Sequence, residues 1–335
     1  EMIGEAGGVH IFLKSCLRDV NIVELFQGIA IFLILFRCFK LQPECGQSLA
    51  DVLVESLLNS KVFKYFYMPL AGINSWCRFE DLRTFPAHIF SALIFEFASQ
   101  STKQRARASS DAEERVCVLD GRLIHSLQKF LLGNWRYTLH LKNTAAKIIR
   151  NSDGSLSVAT LDGKTFHGDI VVVATQPSHA IPILQQVAPM KLMEELNKWP
   201  VMDCYTILHQ DFSDIGQREW LWCTLEHTGS GKPYSINTYL SNDAAMLTTY
   251  VYGRDFYEDY VTHHIDKSKI VKIYEPKLPM FTVQNSIARN DLWRDIDSQC
   301  TDVFWTQACR AGLQFHNDGI LSAKRVVRKA LGLDW

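Results

Sequence analysis

The run Asp169 to Thr175 (DIVVVAT) constrains the fold more than any other stretch of this chain. Its apolar residues are continuous rather than alternating and mostly β-branched, the pattern of a strand buried on both faces. Such strands belong to parallel sheets covered by helices, and Ser178 to Gln186, which follows, reads as one of those helices. The 335 residues suffice for about two domains, or for one large α/β domain with a smaller companion.

Upstream, helices are expected. Gly28 to Phe36 (GIAIFLILF) is an apolar run closed by Gln27 and Arg37. It reads as a buried helix rather than a helix lying in a membrane interface, because a span needs about twenty such residues. Gln47 to Asn59 repeats Leu49, Val52, Leu53 and Leu57 at helical spacing behind Ser48 as N-cap, and a further helix is expected over Ala87 to Phe97. Ser99 to Glu114 is polar and reads as an exposed loop. A strand (Arg115 to Leu119) and a helix (Leu123 to Leu132) come next. Then Tyr137 to Lys142, Ala145 to Arg150, Ser155 to Leu161 and Thr165 to Ala174 make a β-meander turning at Asp153-Gly154 and Asp162-Gly163. Beyond Val201 an antiparallel sheet is expected from Asp203 to His209, Glu219 to Leu225, Tyr234 to Leu240 and Leu247 to Tyr252. The chain closes with a strand, Val303 to Trp305, and a helix from about Gly319 to Gly332.

Composition narrows the function classes. With 47% hydrophobic and 21% charged residues the chain is globular, and its net charge of -1 gives no field that would draw it to nucleic acid or an acidic surface. The nine cysteines are scattered and never spaced C-x-x-C, so neither zinc nor a disulfide framework is indicated. Reduced thiols and the lack of any Asn-x-Ser/Thr acceptor point to an intracellular, cytoplasmic protein. His263-His264 with Asp266 lacks a third spaced ligand and reads as a solvated loop, so no metal is expected. Neither G-x-S-x-G nor G-x-x-x-x-G-K-[ST] occurs, which removes support for hydrolase and NTPase readings.

Two segments carry a family signal: DIVVVATQPSHAIPIL (Asp169 to Leu184) and GLQFHNDGILSAKRVVRKALG (Gly312 to Gly332). Together they resemble the FAD-dependent amine oxidase superfamily, especially its bacterial-type branch of NAD/FAD-binding oxidoreductases. The first is similar to that branch's D-x-V-V-x-A-T-H-P strand and helix. The second is similar to its C-terminal G-x-G-F-H-E-D-G-L-x-S-G, matched at Gly312, Phe315, His316, Asp318, Gly319 and Ser322. VCVLDGRLIHSLQKFL (Val116 to Leu131) and MPLAGINSW (Met68 to Trp76) resemble two further family segments more loosely.

The resemblance implies an α/β (α+β) chain: a partial FAD/NAD(P)-binding Rossmann-like domain (111–190 and 300–335), an antiparallel-sheet substrate domain (191–299), and a helical part of that substrate domain (1–110). It implies FAD as cofactor and hydride transfer to it from an amine or an apolar, lipid-like substrate. A helix opening at Asp318-Gly319-Ile320 would aim free backbone N–H groups at the flavin pyrimidine edge, with Gly319 allowing close approach and Ile320 donating to it. Asp318 and Gly312 would flank the ribityl or diphosphate part. Ala174 and Thr175 would end the central strand beside the dinucleotide, and the backbone of Ala146 would meet the adenine edge. No catalytic base is named by the resemblance, and the aromatic residues between Val201 and Tyr260 are the expected wall of the substrate cavity.

The sequence also departs from the family pattern. Its G-A-W-x-G-x-G-F-H-E-D-G reads Ala308 to Gly319 here, with Ala308, Gln314 and Asn317 in place of two glycines and a glutamate. The G-x-G-x-x-G turn that cradles the diphosphate does not occur, and Gly4-Glu5-Ala6-Gly7-Gly8 has neither its spacing nor a preceding strand. An N-terminal half of the nucleotide-binding fold, on the order of a hundred residues, is therefore expected to be missing. Three readings follow: a flavoenzyme, a degenerate relative serving as a structural or interaction subunit with a protein partner, or a fragment whose G-x-G-x-x-G precedes Glu1.

Overall fold

The computed structural model describes residues 21–40, 46–68, 78–95, 129, 133, 138–213, 222–227, 233–241, 246–286, 289–311 and 316–333. It is a mixed α/β fold with antiparallel sheets. The strands are β1 (Ala145–Arg150), β2 (Leu156–Thr160), β3 (Thr165–Gly168), β4 (Val171–Val173), β5 (Val201–His209), β6 (Trp222–His227), β7 (Pro233–Ser241), β8 (Met246–Tyr252), β9 (Ile270–Tyr274), β10 (Lys277–Pro279) and β11 (Val303–Trp305). The longer helices are α1 (Ile22–Lys40), α2 (Pro177–Leu184), α3 (Met190–Asn197), α4 (Arg254–His263), α5 (Arg289–Gln299) and α6 (His316–Ala330).

Among the described residues the strands form three sheets: the meander β1-β2-β3, a six-stranded antiparallel sheet around β5 and β8, and the parallel pair β4-β11. The meander turns at the glycines expected, Gly154 and Gly163, both at positive φ. What reads in sequence as one strand, Thr165 to Ala174, is two. β3 closes the meander, the chain breaks at Asp169-Ile170, and β4 leaves to pair with β11. In the large sheet β5 is central: β8 lies along one edge, and β10 and β9 share the other, at its start and its end. Its inward residue Ile207 packs with Val251 of β8 beneath Phe256 and Tyr260 of α4.

One apolar core joins the helical region to the meander, the β4-β11 pair and α6. Ile31 and Leu35 of α1 share it with Phe90, Ile148, Leu184, Trp293, Trp305 and Val326. Inside it lies an ion pair. The Arg310 guanidinium, 1% exposed, stacks 4.8 Å from the Trp293 ring, donates to the Trp305 carbonyl at 2.6 Å and pairs with Asp297. Burial pushes Arg310 below its ordinary value, against the pull of Asp297.

Several sequence expectations are corrected. The apolar run at Gly28 to Phe36 is the middle of a 19-residue helix, α1, and most of it is exposed; only Ile31, Leu35 and Cys38 are buried. The periodicity missed its length because Glu24 and Gln27 interrupt the apolar run without interrupting the helix. The helix expected over 47–59 is two short turns, Leu49–Val52 and Glu55–Leu58, parted where Leu53 turns extended. Ser48 does cap the first, in a reciprocal box with Asp51. No strand forms over 138–142. His263 ends α4 and His264 caps it, stacked on Tyr260, rather than lying in a loop. The expected elements at Arg115 to Leu119 and Leu123 to Leu132, and the MPLAGINSW corner beyond Met68, lie outside the described residues apart from 129.

Two outcomes are expected. Asp297→Ala strands a buried guanidinium and lowers stability by about 3–5 kcal/mol, read from urea unfolding. The second concerns His209, 2% exposed, whose Nδ1 accepts the Asp211 N–H at 3.3 Å while its Nε2 faces Thr249 Oγ1 at 2.8 Å. Burial holds this imidazole below its ordinary value although Asp211 pulls it up. The unfolded chain therefore binds the proton first, and stability falls as pH drops below about 6.5. The thermal midpoint should decline between neutral and mildly acidic pH, and His209→Gln should flatten that decline.

Candidate functional site

The parallel pair sets the position of the site. Val171, Val172 and Val173 align with Val303, Phe304 and Trp305, so both strands end on the same side. In parallel α/β sheets the crevice beyond the carboxyl ends is where ligands bind. Here the strand ends are tied together. Trp305 Nε1 donates to the Thr175 carbonyl at 2.9 Å, and the Thr306 N–H donates to Val173 at 3.0 Å. At the other, amino end of the pair, Arg150 grips Asp302 with a bidentate pair at 2.5 and 2.8 Å, which locks the end of β1 to the start of β11.

Helix α6 is fixed against the corner at the carboxyl ends. Ser322, fully buried, meets Thr306 Oγ1 at 2.8 Å and accepts the Gln307 N–H at 3.3 Å. A Cβ added at Gly319 would sit 3.8 Å from the Ala308 side chain, an ordinary contact, so space alone does not require glycine there. The helix opens at His316, two residues earlier than its sequence suggests. Ile320 is consequently its fifth residue, and its N–H belongs to the internal ladder. Its side chain is 68% exposed. Among the described residues the free N–H groups at this helix end are those of His316, Asn317 and Asp318, ahead of Ile320, and the expectation for Ile320 is corrected to that extent.

Thr175 is tied to Trp305 and Gly319 lies near Ala308, the two linked through Thr306 and Ser322. Gly312 lies outside the described residues. Ala146 sits on β1, against which α2 packs. The β1-β2 register slips between Ala145 and Lys147, so Ala146 is the extra residue of a bulge, its backbone set off from the regular ladder. Sequence reasoning missed Gln176 and Ser322's partner Thr306. It also overstated the burial of β4, since Ile170 and Val172 are 44% and 42% exposed. A continuous apolar run shows that a strand is short and branched; it does not show that both faces are covered.

Whether this corner suits a dinucleotide can be read from its polar atoms. Thr175 Oγ1 and Gln176 Oε1 are buried with no hydrogen-bond partner. Each costs about 1–3 kcal/mol unless a ligand or solvent satisfies it. With Ala174 exposed beside them, they are unsatisfied acceptors at the strand end, and the polar part of a flavin dinucleotide carries donors that suit them. No residue present in the sequence supplies the glycine turn for the diphosphate.

Other chemistry finds less support. A cavity of about 610 Å³ lies away from this corner, lined by Arg78, Asp81, Met202, Asp203, Arg254 and Glu258 among others. Its wall is charged rather than aromatic, and Tyr205 of β5 instead stacks on Tyr257 of α4 at 4.1 Å. Gly253 belongs to its rim at φ 94°, and a Cβ there would meet both Arg78 and Asp255 at 3.0 Å. Burial pushes the Cys204 thiol up to about 12 and Cys300 to about 11, so neither is a nucleophile.

Comparison with known proteins agrees with this geometry. Residues 59–284, about two thirds of the chain, match the sequence profile of the family described as flavin containing amine oxidoreductase. No curated protein sequence matches. Among solved structures, a CLA-producing fatty acid isomerase from P. acnes superposes with TM-score 0.54 at 12% identity, covering 92% of this chain and 75% of its own. A protein assigned as a protoporphyrinogen oxidase from Exiguobacterium sp. 255-15 gives 0.52 at 14%, covering 93% and 73%. A cofactor-site triple mutant of putrescine oxidase gives 0.51 at 11%, covering 94% and 76%. At such identities the likeness is one of fold.

The Ser322 tie can be tested directly. Ser322→Ala leaves Thr306 Oγ1 and the Gln307 N–H without their shared partner, and should lower stability by about 1–3 kcal/mol in chemical unfolding.

Proposed function

Since the chain belongs to the flavin-containing amine oxidoreductase family, we propose that it is a flavin-dependent oxidoreductase with its cofactor crevice at the carboxyl ends of β4 and β11. The observation that carries this reading is the pair of buried, partnerless oxygens, Thr175 Oγ1 and Gln176 Oε1, just beyond the carboxyl end of β4. FAD, when bound, supplies the two-electron acceptor.

The chain's own residues would do the rest. Thr175 and Gln176 bond polar atoms of the dinucleotide. The first-turn amides of α6 place a positive dipole end where negative charge gathers, and Asp318 lies in that turn. The bulged backbone at Ala146 is offered to the adenine edge. Ser322 and Trp305 hold these pieces in register without touching the ligand. No residue is assigned as a base. The substrate we propose is an amine or an apolar acyl compound: the neighbours named for putrescine and fatty acid chemistry support both.

A second reading, a non-catalytic relative that works through a protein partner, is supported by the exposed Ile170 and the exposed Val172 of β4. One titration separates them. If the first reading is right, added FAD should remain with the protein through desalting, show flavin absorption bands and raise the unfolding midpoint. Thr175→Val should weaken FAD affinity about three- to tenfold, as expected for one hydrogen bond, while leaving the cofactor-free protein as stable as before. A protein that FAD neither colours nor stabilises would establish the second.

A further inference from the structure

Helix α1 has its polarity reversed relative to a helix on the surface of a water-soluble protein. Its polar and small residues face the protein. The Glu24 carboxylate, 12% exposed, pairs with Lys61 at 3.6 Å and accepts the Asn21 N–H at 3.0 Å. Gly28 lies so close to Val62 that a Cβ would approach its methyl to 3.3 Å, and the Gly28 carbonyl accepts the Tyr67 hydroxyl at 3.0 Å. Ile31, Leu35 and Cys38 continue this docked stripe.

The opposite face is apolar over the length of the helix. Ile22 is 69% exposed, Phe26 65%, Ile29 47% and Leu33 59%; Phe32 and Phe36 flank this face, partly exposed and packed edge-on against Phe95. In water this arrangement is unfavourable, since a surface helix normally turns its charges outward and its apolar stripe inward. The charges that do point outward, Arg37 and Lys40, are both cations and sit together at the C-terminal end. The Lys40 ammonium lies 5.5 Å from the Phe36 ring and 5.8 Å from Phe39, its stem laid along the aromatic surface. The helix spans about 28 Å, comparable with a bilayer core of about 30 Å, but its inner face is bound to the protein along that length.

We propose that α1 is an in-plane membrane anchor: its outward face enters the interfacial layer of an anionic phospholipid bilayer while its inward stripe stays docked on the protein. Sinking the face by the depth usual for such helices covers the aromatic and aliphatic side chains, and Arg37 and Lys40 reach the phosphates. The occupant is lipid rather than water because no acidic group faces outward on this helix. It lies flat because Glu24 and Gln27 remain on the protein side. The proposal does not depend on flavin binding.

Vesicle flotation of the whole chain tests it. With phosphatidylcholine and phosphatidylglycerol vesicles the protein should float. Phe26→Gln with Leu33→Gln should reduce the bound fraction tenfold or more, on the order of two buried apolar side chains, without moving the unfolding midpoint. Arg37→Gln and Lys40→Gln should each weaken binding about fivefold on anionic vesicles and hardly at all on pure phosphatidylcholine. In a Phe32→Trp variant, spin labels near the headgroup should quench more strongly than labels at the bilayer centre. Failure of the unaltered chain to float overturns the proposal, as does a dimer that the Phe26 and Leu33 changes dissolve without any flotation. Quenching strongest at the bilayer centre overturns the in-plane placement.

Discussion

The parallel pairing of β4 with β11 is the constraint on which the rest of the molecule depends. It joins residues far apart in the chain: the Trp305–Thr175 hydrogen bond closes 130 residues and the Arg150–Asp302 pair closes 152. Closing a loop of that size costs about 4 kcal/mol before any contact is gained. Three residues of ladder cannot offset this. The burial behind it can, because Val173, Val303, Phe304 and Trp305 are all under 7% exposed, and each large side chain contributes about 1.5–3 kcal/mol. The pair is therefore held by the core rather than by its own hydrogen bonds. Everything at the candidate site inherits its position from there: Thr175 through Trp305, and α6 through Thr306 and Ser322.

Arg310 shows how this corner tolerates departure from its family pattern. The pattern places tryptophan where Arg310 stands. A planar guanidinium keeps the stack on Trp293 and adds a donor for the Trp305 carbonyl, and Asp297 from α5 balances the charge. A buried pair of this kind contributes little net stability relative to an apolar side chain, yet it is costly to break. Its consequence is rigidity in the turn that leads to α6. Thr175 Oγ1 and Gln176 Oε1, at the end of β4, remain buried without a hydrogen-bond partner.

Much of the fold was legible because short-range chemistry decided it. The Asp153-Gly154 and Asp162-Gly163 turns fixed the meander, Ser48 capped its helix, and alternation located β5 and β8 to within two residues. Three features were not legible. The break at Asp169-Ile170 separates β3 from β4, and only the distant β11 dictates it. β9 and β10 are short edge strands whose partner, β5, is the reason they exist. The start of α6 at His316 lies ahead of the Asp318-Gly319 pair that marks it in the sequence. At the site, residue types announced the strand end and the closing helix, but which amides stay free is set by where that helix begins.

The two exposed apolar surfaces of the molecule call for different environments. On β4, Val171 and Val173 direct their backbone groups to β11, through the Asp302 carbonyl and the Thr306 N–H. Val172 must then direct its N–H and C=O the other way, to an edge with no partner strand among the described residues. Such an edge cannot face hydrocarbon, because each unsatisfied backbone group costs several kcal/mol there. It needs water, another strand or a polar ligand. Helix α1 has no such requirement, since its backbone bonds are closed within the helix and only side chains face out. The crevice and the helix thus expose comparable apolar side chains, yet backbone chemistry reserves the first for polar partners and leaves the second free to meet lipid.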